Sequence, residues 1–295
     1  MPPAAASTRE SESDDLRAVQ ALLTYLAPGI DRAEVRVYPP SSGLATVRPA
    51  SLQHVVAIRD ARPIASRLDL DASGFEFHSH PSAFNDFYDE RAVRQRYYPE
   101  VAEALKVFTG ARDAVVFDHN VRSAVRAARG ELGVRVPVDQ AHNDYTLHSG
   151  PKRKGEILDE AGRADLAERH FAFVNLWRPI VGPVHDNPLA VCDARSVAPA
   201  DLVPTDIHHY GEGDLETPRH SGQIYSLRHN PAHRWFYASA MQPHEVLLLK
   251  GYDSRADGRA CFMPHTGFRN PDCPSDFVPR ESIEARALVV FEERA

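Results

Sequence analysis

A chain of 295 residues carrying 34 Lys and Arg against 41 Asp and Glu, net −7, has no excess of cations with which to grip nucleic acid. Its three cysteines, Cys192, Cys261 and Cys273, are odd in number and lack a C-x-x-C spacing. That argues against a disulfide framework or zinc knuckle and fits a reduced, cytoplasmic compartment. An apolar fraction of 43% supports a sizeable core, while no apolar run reaches membrane length and no signal-peptide core opens the chain.

Residues 1–13, rich in Ala, Ser and Glu, read as a disordered tail, and 14–295 as a single domain with an N-terminal elaboration of strands and helix. The spacing of Val19, Leu22, Leu23 and Leu26 predicts a short helix ending near Pro28-Gly29. From Glu34 to about Phe77, alternating stretches such as His54-Val55-Val56-Ala57-Ile58 predict strands. Residues 90–109 predict a helix, with Pro99 in a first turn and Val101, Leu105 and Phe108 on one face. Ala114–Asp118 reads as a strand, the charged residues 152–169 as a second helix, and Phe171–Ile180 as extended. Further strands are expected at 223–228, 234–240, 245–250, 259–266 and 282–291, with His208 and His209 in a loop. Helices early and strands crowded late suggest a mixed α+β fold with a β-barrel core buttressed by helices.

Within this frame, His142-Asn143-Asp144 places an imidazole and a carboxylate two positions apart. On extended backbone such side chains share a face, so both can hold one ion. A third ligand from a distant strand would complete the two-His-one-carboxylate facial triad of non-haem Fe(II) oxygenases, which leaves positions open for a 2-oxo acid and dioxygen. Candidates are His185, His208, His209, His220, His229, His233, His244 and His265. His265 is favoured because it ends the extended run from Ala260; His229 is the alternative. Arg280 and Ser282 share a strand face and offer a guanidinium fork and a hydroxyl to a carboxylate; Arg286 has the same parity and rivals Arg280. The pairs His78/His80 and His208/His209 read as solvated or locally hydrogen-bonded.

Nine blocks carry a more specific signal: HPSAFNDFYDE at 80–90, YYPEV at 97–101, VVFDHNVR at 115–122, HNDYT at 142–146, NLWRPIVGPVHDNPLAVCDARSV at 175–197, HNPAHRWFY at 229–237, EVLLLKGYDS at 245–254, PHTGF at 264–268 and RESIEARALVVF at 280–291. Through them residues 70–291 resemble the asaB-type hydroxylase/desaturase group, which also contains the CmcJ-like proteins. The resemblance implies a double-stranded β-helix (jelly-roll, cupin-like) core and an Fe(II)/2-oxoglutarate-dependent dioxygenase. Its chemistry would be C–H hydroxylation, desaturation or oxidative cyclisation of a small secondary metabolite. It implies His142, Asp144 and His265 as catalytic iron ligands and Arg280 with Ser282 at 2-oxoglutarate. Tyr145, Asn175, Trp177, Arg178 and Tyr225 are candidate substrate contacts, Arg178 for a substrate carboxylate, with Trp235 and Tyr237 as further aromatic walls. A zinc-type hydrolase or isomerase on the same ligands would need no 2-oxoglutarate and would give Arg280 no task. A turnover-deficient barrel would bind a metabolite or partner only. The partner expected is a small molecule, with a homo-oligomer or a biosynthetic partner enzyme both open, and neither nucleic acid nor membrane.

Overall fold

The computed structural model describes residues 16–294, so the expected tail at 1–13 lies outside the described residues. Among the described residues, fifteen strands form two sheets. In spatial order the larger sheet runs β1 (Ala18–Leu26), β3 (Ser51–Asp60), β12 (Trp235–Tyr237), β9 (Leu189–Cys192), β14 (His265–Gly267), β7 (His142–Asn143), β11 (Asp214–Leu227), β10 (Leu202–Gly211) and β2 (Ala33–Val37). The smaller sheet runs β4 (Phe75–Ser79), β13 (Glu245–Asp253), β8 (Arg169–Pro179), β15 (Glu281–Arg294), β5 (Asp113–Ser123) and β6 (Val134–Arg135).

Eight strands form the heart of this arrangement, four adjacent ones in each sheet and every neighbouring pair antiparallel. Counted along the chain, the larger sheet holds the fifth, fourth, seventh and second of them, and the smaller the sixth, third, eighth and first. Apart from the fourth and fifth, which are neighbours in the larger sheet, successive strands lie in opposite sheets, an order that fits a jelly-roll core. Outer strands join it through the parallel pairs β12–β3 and β5–β6 and the antiparallel pairs β11–β7 and β13–β4, and β2 pairs in parallel with β10 at the edge.

Packing follows from the side-chain period of two. Between the sheets, Phe75, Trp177, Leu247 and Leu249 meet Val191, Phe236 and Met263. The other face of the smaller sheet is covered by a helical segment: α1 (Glu90–Ala92) passes through a π turn (Val93–Tyr97) into α2 (Tyr98–Thr109). Asp89 caps the start by accepting from the Ala92 amide, and Gly110, with φ 68°, ends α2 in the left-handed conformation. Val101 and Leu105 then bury against Val174, Leu176, Leu248 and Ala285, at about 1.5–3 kcal/mol for each large side chain. Covered on both faces, β8 and β13 are almost wholly buried. A short α3 (Ala124–Ala128) follows β5, and α4 (Ser149–Ala161) lies beside the later half of β11, where Ser149 donates to the Gln223 carbonyl. No helix among the described residues is long and apolar enough to cross a membrane.

Several sequence expectations are corrected. The segment from Val19 is strand β1, not helix: Val19, Ala21, Leu23 and Tyr25 point inward while Leu22 stays 52% exposed. Pairing along β3, from Ala18↔Arg59 to Leu26↔Ser51, decides between two periodicities the sequence satisfies almost equally. His208 and His209 belong to β10, not a loop. The second helix, α4, begins at Ser149 and stops at Gly162, whose φ of 64° suits glycine, so the chain reaches β8 by Arg169. Of the stretch 259–266 only the end is strand, since β14 starts at His265 after Pro264, which has no amide to donate.

Candidate active site

The site lies between the two sheets, built from β7 and β14 on one side and β8, β15 and β5 on the other. His142 and His265 are register partners on adjacent strands, so backbone hydrogen bonding sets their spacing. Asp144 follows β7 directly. One ligand atom from each of His142, Asp144 and His265 falls within 4.8 Å of the others; among the described residues no other His, Cys, Asp or Glu group does so. His142 Nδ1 donates to the Gln140 carbonyl at 2.8 Å, and His265 Nδ1 faces the Met263 carbonyl at 3.4 Å. Both rings therefore keep Nε2 as the free donor nitrogen. Two imidazoles and a carboxylate on one face are a donor set that fits Fe(II).

Electrostatics follow from burial and mutual contact. Burial pushes the His142 imidazole down, but the Asp144 carboxylate, 3.5 Å from Nε2, outweighs it and holds His142 above the usual histidine range. His265 is lowered, by burial and then by the His142 charge. Asp144 is held far below the carboxylate range: burial opposes ionisation, but His142, His265 and Arg286 overcome it. Asp144 is therefore held as the anion.

Asn143 was not among the residues that the sequence singled out. Fully buried, it donates to the carbonyls of Tyr145 and Gly251 at 2.8 Å and accepts from the Met263 amide at 3.0 Å. It thereby ties the segment carrying His142 and Asp144 to the approach of His265. Its parity, opposite to both ligands, was the available signal.

Two cavities meet at the triad. The inner one, about 40 Å³, is lined by His142, Asp144, Trp177, His265, Arg280, Glu284 and Arg286, with Asn120 and Arg122 from β5. The outer one, about 640 Å³, opens past Phe117, Tyr145, Lys152, Arg153, Pro204, Ile207, His209, Gln223 and Ile224. Only Asp144 and Arg286 line both. Asn120, Arg122 and Glu284 were also missed. Their signal is an alternating polar stripe, Asp118, Asn120 and Arg122 on β5 facing Ser282, Glu284 and Arg286 on β15.

The two rival arginines differ in kind. Arg286 is committed to Asp118, with Nε 3.1 Å from Oδ1 and a second contact from Nη2 to Oδ2. Arg280, 3% exposed, forms no ion pair among the described residues. Its Nε donates to Ser282 Oγ at 3.1 Å, its Nη1 donates to the Asn187 carbonyl at 2.6 Å, and its guanidinium lies over Trp177 at 5.2 Å. Burial, then the Arg122 charge, pushes this cation down to about 10. Three of its five N–H groups remain for an anion.

The other candidates divide. Tyr145 stacks on Phe173 at 4.1 Å and borders the outer cavity. Asn175 bonds Asp144 and Glu284, and Trp177 underlies Arg280, so both serve the inner side instead of the mouth. Arg178 is elsewhere: next to Trp177 on β8, it points to the opposite face. There it is saturated by the Tyr97 hydroxyl, the carbonyls of His80 and Pro243, and His80 Nδ1. Tyr225 packs edge-on to Phe262 at 5.0 Å and accepts from the Leu147 amide, outside the mouth lining. Trp235 donates to the Tyr25 hydroxyl and Tyr237 packs on Phe268, both in the core behind the larger sheet.

Comparisons agree with this geometry. Residues 23–290 match the family model described as an oxidoreductase/YMDC permease-like domain. The hydroxylase/desaturase efuI of Hormonema carpetanum is 32% identical over 258 residues, 81% of this chain and 84% of the relative. The Fe(II)/2-oxoglutarate-dependent dioxygenase nvfI of Aspergillus novofumigatus is 34% identical over 243 residues, 80% and 83% of the two chains. A solved structure of the iron and alpha-ketoglutarate-dependent endoperoxidase NvfI superposes with a TM-score of 0.79 at 28% identity, covering 93% of this chain and 98% of that one. The chain belongs to this family of hydroxylase/desaturase-type, Fe(II)/2-oxoglutarate-dependent dioxygenases. It is an oxygenase.

Proposed function

We propose that His142, Asp144 and His265 hold the iron, that Arg280 and Ser282 grip the distal carboxylate of 2-oxoglutarate in the inner cavity, and that the substrate, a small secondary metabolite, enters through the outer one. The observation that carries this reading is Arg280: a buried cation without an acidic partner lines the same small cavity as the triad. An unpaired buried charge is expensive, and a carboxylate arriving there relieves it. Arg286, already neutralised by Asp118, lacks that incentive and instead forms part of the wall between the cavities.

Bound iron supplies oxidative C–H chemistry coupled to decarboxylation of 2-oxoglutarate by dioxygen, giving hydroxylation, desaturation or ring closure. The protein supplies position. Tyr145, Phe117 and Ile224 form an apolar edge of the mouth, while Lys152, Arg153, His209 and Gln223 offer polar contacts. On this reading residues 14–295 work as one oxygenase domain with a double-stranded β-helix core. The absence of disulfides, with all of Cys192, Cys261 and Cys273 free, supports a cytoplasmic setting that keeps iron reduced.

The test is succinate formation by metal-free protein supplied with Fe(II), 2-oxoglutarate and oxygen across a metabolite panel, with Asp144→Ala alongside. Succinate that requires iron, oxygen and Asp144 is expected, with stimulation by the right substrate. Turnover unchanged in Asp144→Ala refutes the ligand assignment.

A further inference from the structure

Asn175 sits on β8 with 1% of its surface exposed, and its side-chain nitrogen bridges two acids. Nδ2 donates to Asp144 Oδ2 at 2.7 Å and to Glu284 Oε1 at 2.7 Å. Both neighbours are carboxylates that only accept, so the amide must turn its nitrogen toward them. Oδ1 is left buried without a partner. Such an orphan costs about 1–3 kcal/mol, a penalty that an apolar residue packing the same space would not incur. Glu284, 7% exposed on β15 with Trp177 as its β8 register partner, holds the far end. The three side chains form one line, Glu284 to Asn175 to Asp144.

The consequence lies in Asp144. With Oδ2 tied to the amide, Oδ1 is the oxygen turned to His142 Nε2, at 3.5 Å. A facial triad leaves three positions of an octahedral ion open, and a chelating 2-oxo acid takes two. A carboxylate free to rotate can bind through both oxygens and consume one of them. We propose that Asn175, oriented by Glu284, is a positioning residue that keeps Asp144 a one-oxygen ligand and so preserves the positions the reaction needs. The proposal rests on the assignment of His142, Asp144 and His265 as ligands.

The test compares Asn175→Ala, Glu284→Ala and Glu284→Gln, each checked for native circular dichroism without metal. Anaerobic Fe(II) titration should show dissociation constants about 10–100-fold higher in Asn175→Ala and Glu284→Ala. Glu284→Gln retains an acceptor oxygen and should stay close to native. In the Co(II)-loaded proteins, the visible absorption of Asn175→Ala should shift as the second Asp144 oxygen replaces a coordinated solvent, a change that loss of packing alone would not produce. Native-like Fe(II) affinity and an unaltered Co(II) spectrum in folded Asn175→Ala overturn the proposal. Should that variant not fold, the Glu284 pair decides: Glu284→Ala binding Fe(II) no more weakly than Glu284→Gln overturns it too. If native protein takes no Fe(II), the ligand assignment fails and the relay falls with it.

Discussion

Replacing Arg280 by Met keeps much of the side-chain volume and removes the charge, and it should act with opposite signs on the empty and the loaded protein. Arg280 is 3% exposed and has only a hydroxyl, a carbonyl and the Trp177 face as partners. Without ligand, Arg280→Met gives up those contacts but also the burial of an unpaired cation, so the metal-free melting temperature should change little or rise. Binding is different, because a buried charge pair broken on one side costs about 3–5 kcal/mol. At about 1.4 kcal/mol per decade, that raises the 2-oxoglutarate dissociation constant roughly 100- to 3,000-fold. Co-substrate at 100 times its native dissociation constant stabilises native protein by about 2.7 kcal/mol, whereas the variant should gain no more than about 0.4 kcal/mol. Anaerobic thermal melts of the Fe(II) protein with and without 2-oxoglutarate read this directly, and the Fe(II)/2-oxoglutarate charge-transfer band gives the affinity. Retention of near-native affinity in Arg280→Met, with its loss in Arg286→Met, would refute the reasoning and hand the task to Arg286.

Asn143→Ala removes three buried hydrogen bonds and strands the Gly251 and Tyr145 carbonyls; unfolding free energy should drop by on the order of 3 kcal/mol, measured by urea titration, with Fe(II) affinity falling as well. Gly267→Ala would set a Cβ 2.9 Å from the Val138 carbonyl and 3.6 Å from Arg280 Nη1, so a loss of about 1–3 kcal/mol in stability and weaker 2-oxoglutarate binding are expected from calorimetry. His233 is held below its ordinary value of 6.5, chiefly by burial, with Asp201 offsetting only part. Below that pH the unfolded chain takes up a proton that the folded one resists, so stability should fall as pH drops through 6.5. Urea midpoints between pH 5.5 and 7.5 should show a shallower slope in His233→Gln, and an equal slope would exclude His233 as a source.

What was legible from residues alone was what lies close in sequence or repeats every second position. The parity of His142 and Asp144, the stripe from Arg280 to Arg286 and the strand from Phe171 all reflect local backbone geometry. The segment at Val19 satisfied both a helical and a strand period, and only β3, paired along its whole length, separates them. Strand β10 was hidden because both its faces stay partly open at this end, so the polar neighbours His208 and His209, which point apart, break the usual apolar alternation. Arg178 was expected at a substrate carboxylate together with Trp177, but neighbours on a strand point apart, and Tyr97, which fixes Arg178, arrives from the helical layer. The orientation of Asn175 depends on two acids from other segments, which no local pattern announces.

The pairing of His142 with His265 bears on how the molecule assembles. Asn143 and Met263, bonded at 3.0 Å, stand 120 residues apart in the chain, so closing the site joins segments that are remote in sequence. Strands β7 and β14 are two and three residues long, too short to define their alignment strongly by backbone bonding alone. A slip of one residue would turn His265 to the opposite face and abolish the triad. On the proposed ligation, an ion held by His142 and His265 would act as a clasp on the alignment of these strands. On that assignment, loading should slow amide exchange along β14 more than in helix α2, on the far face of the smaller sheet, and the metal would hold the fold together as well as supply its reactive centre.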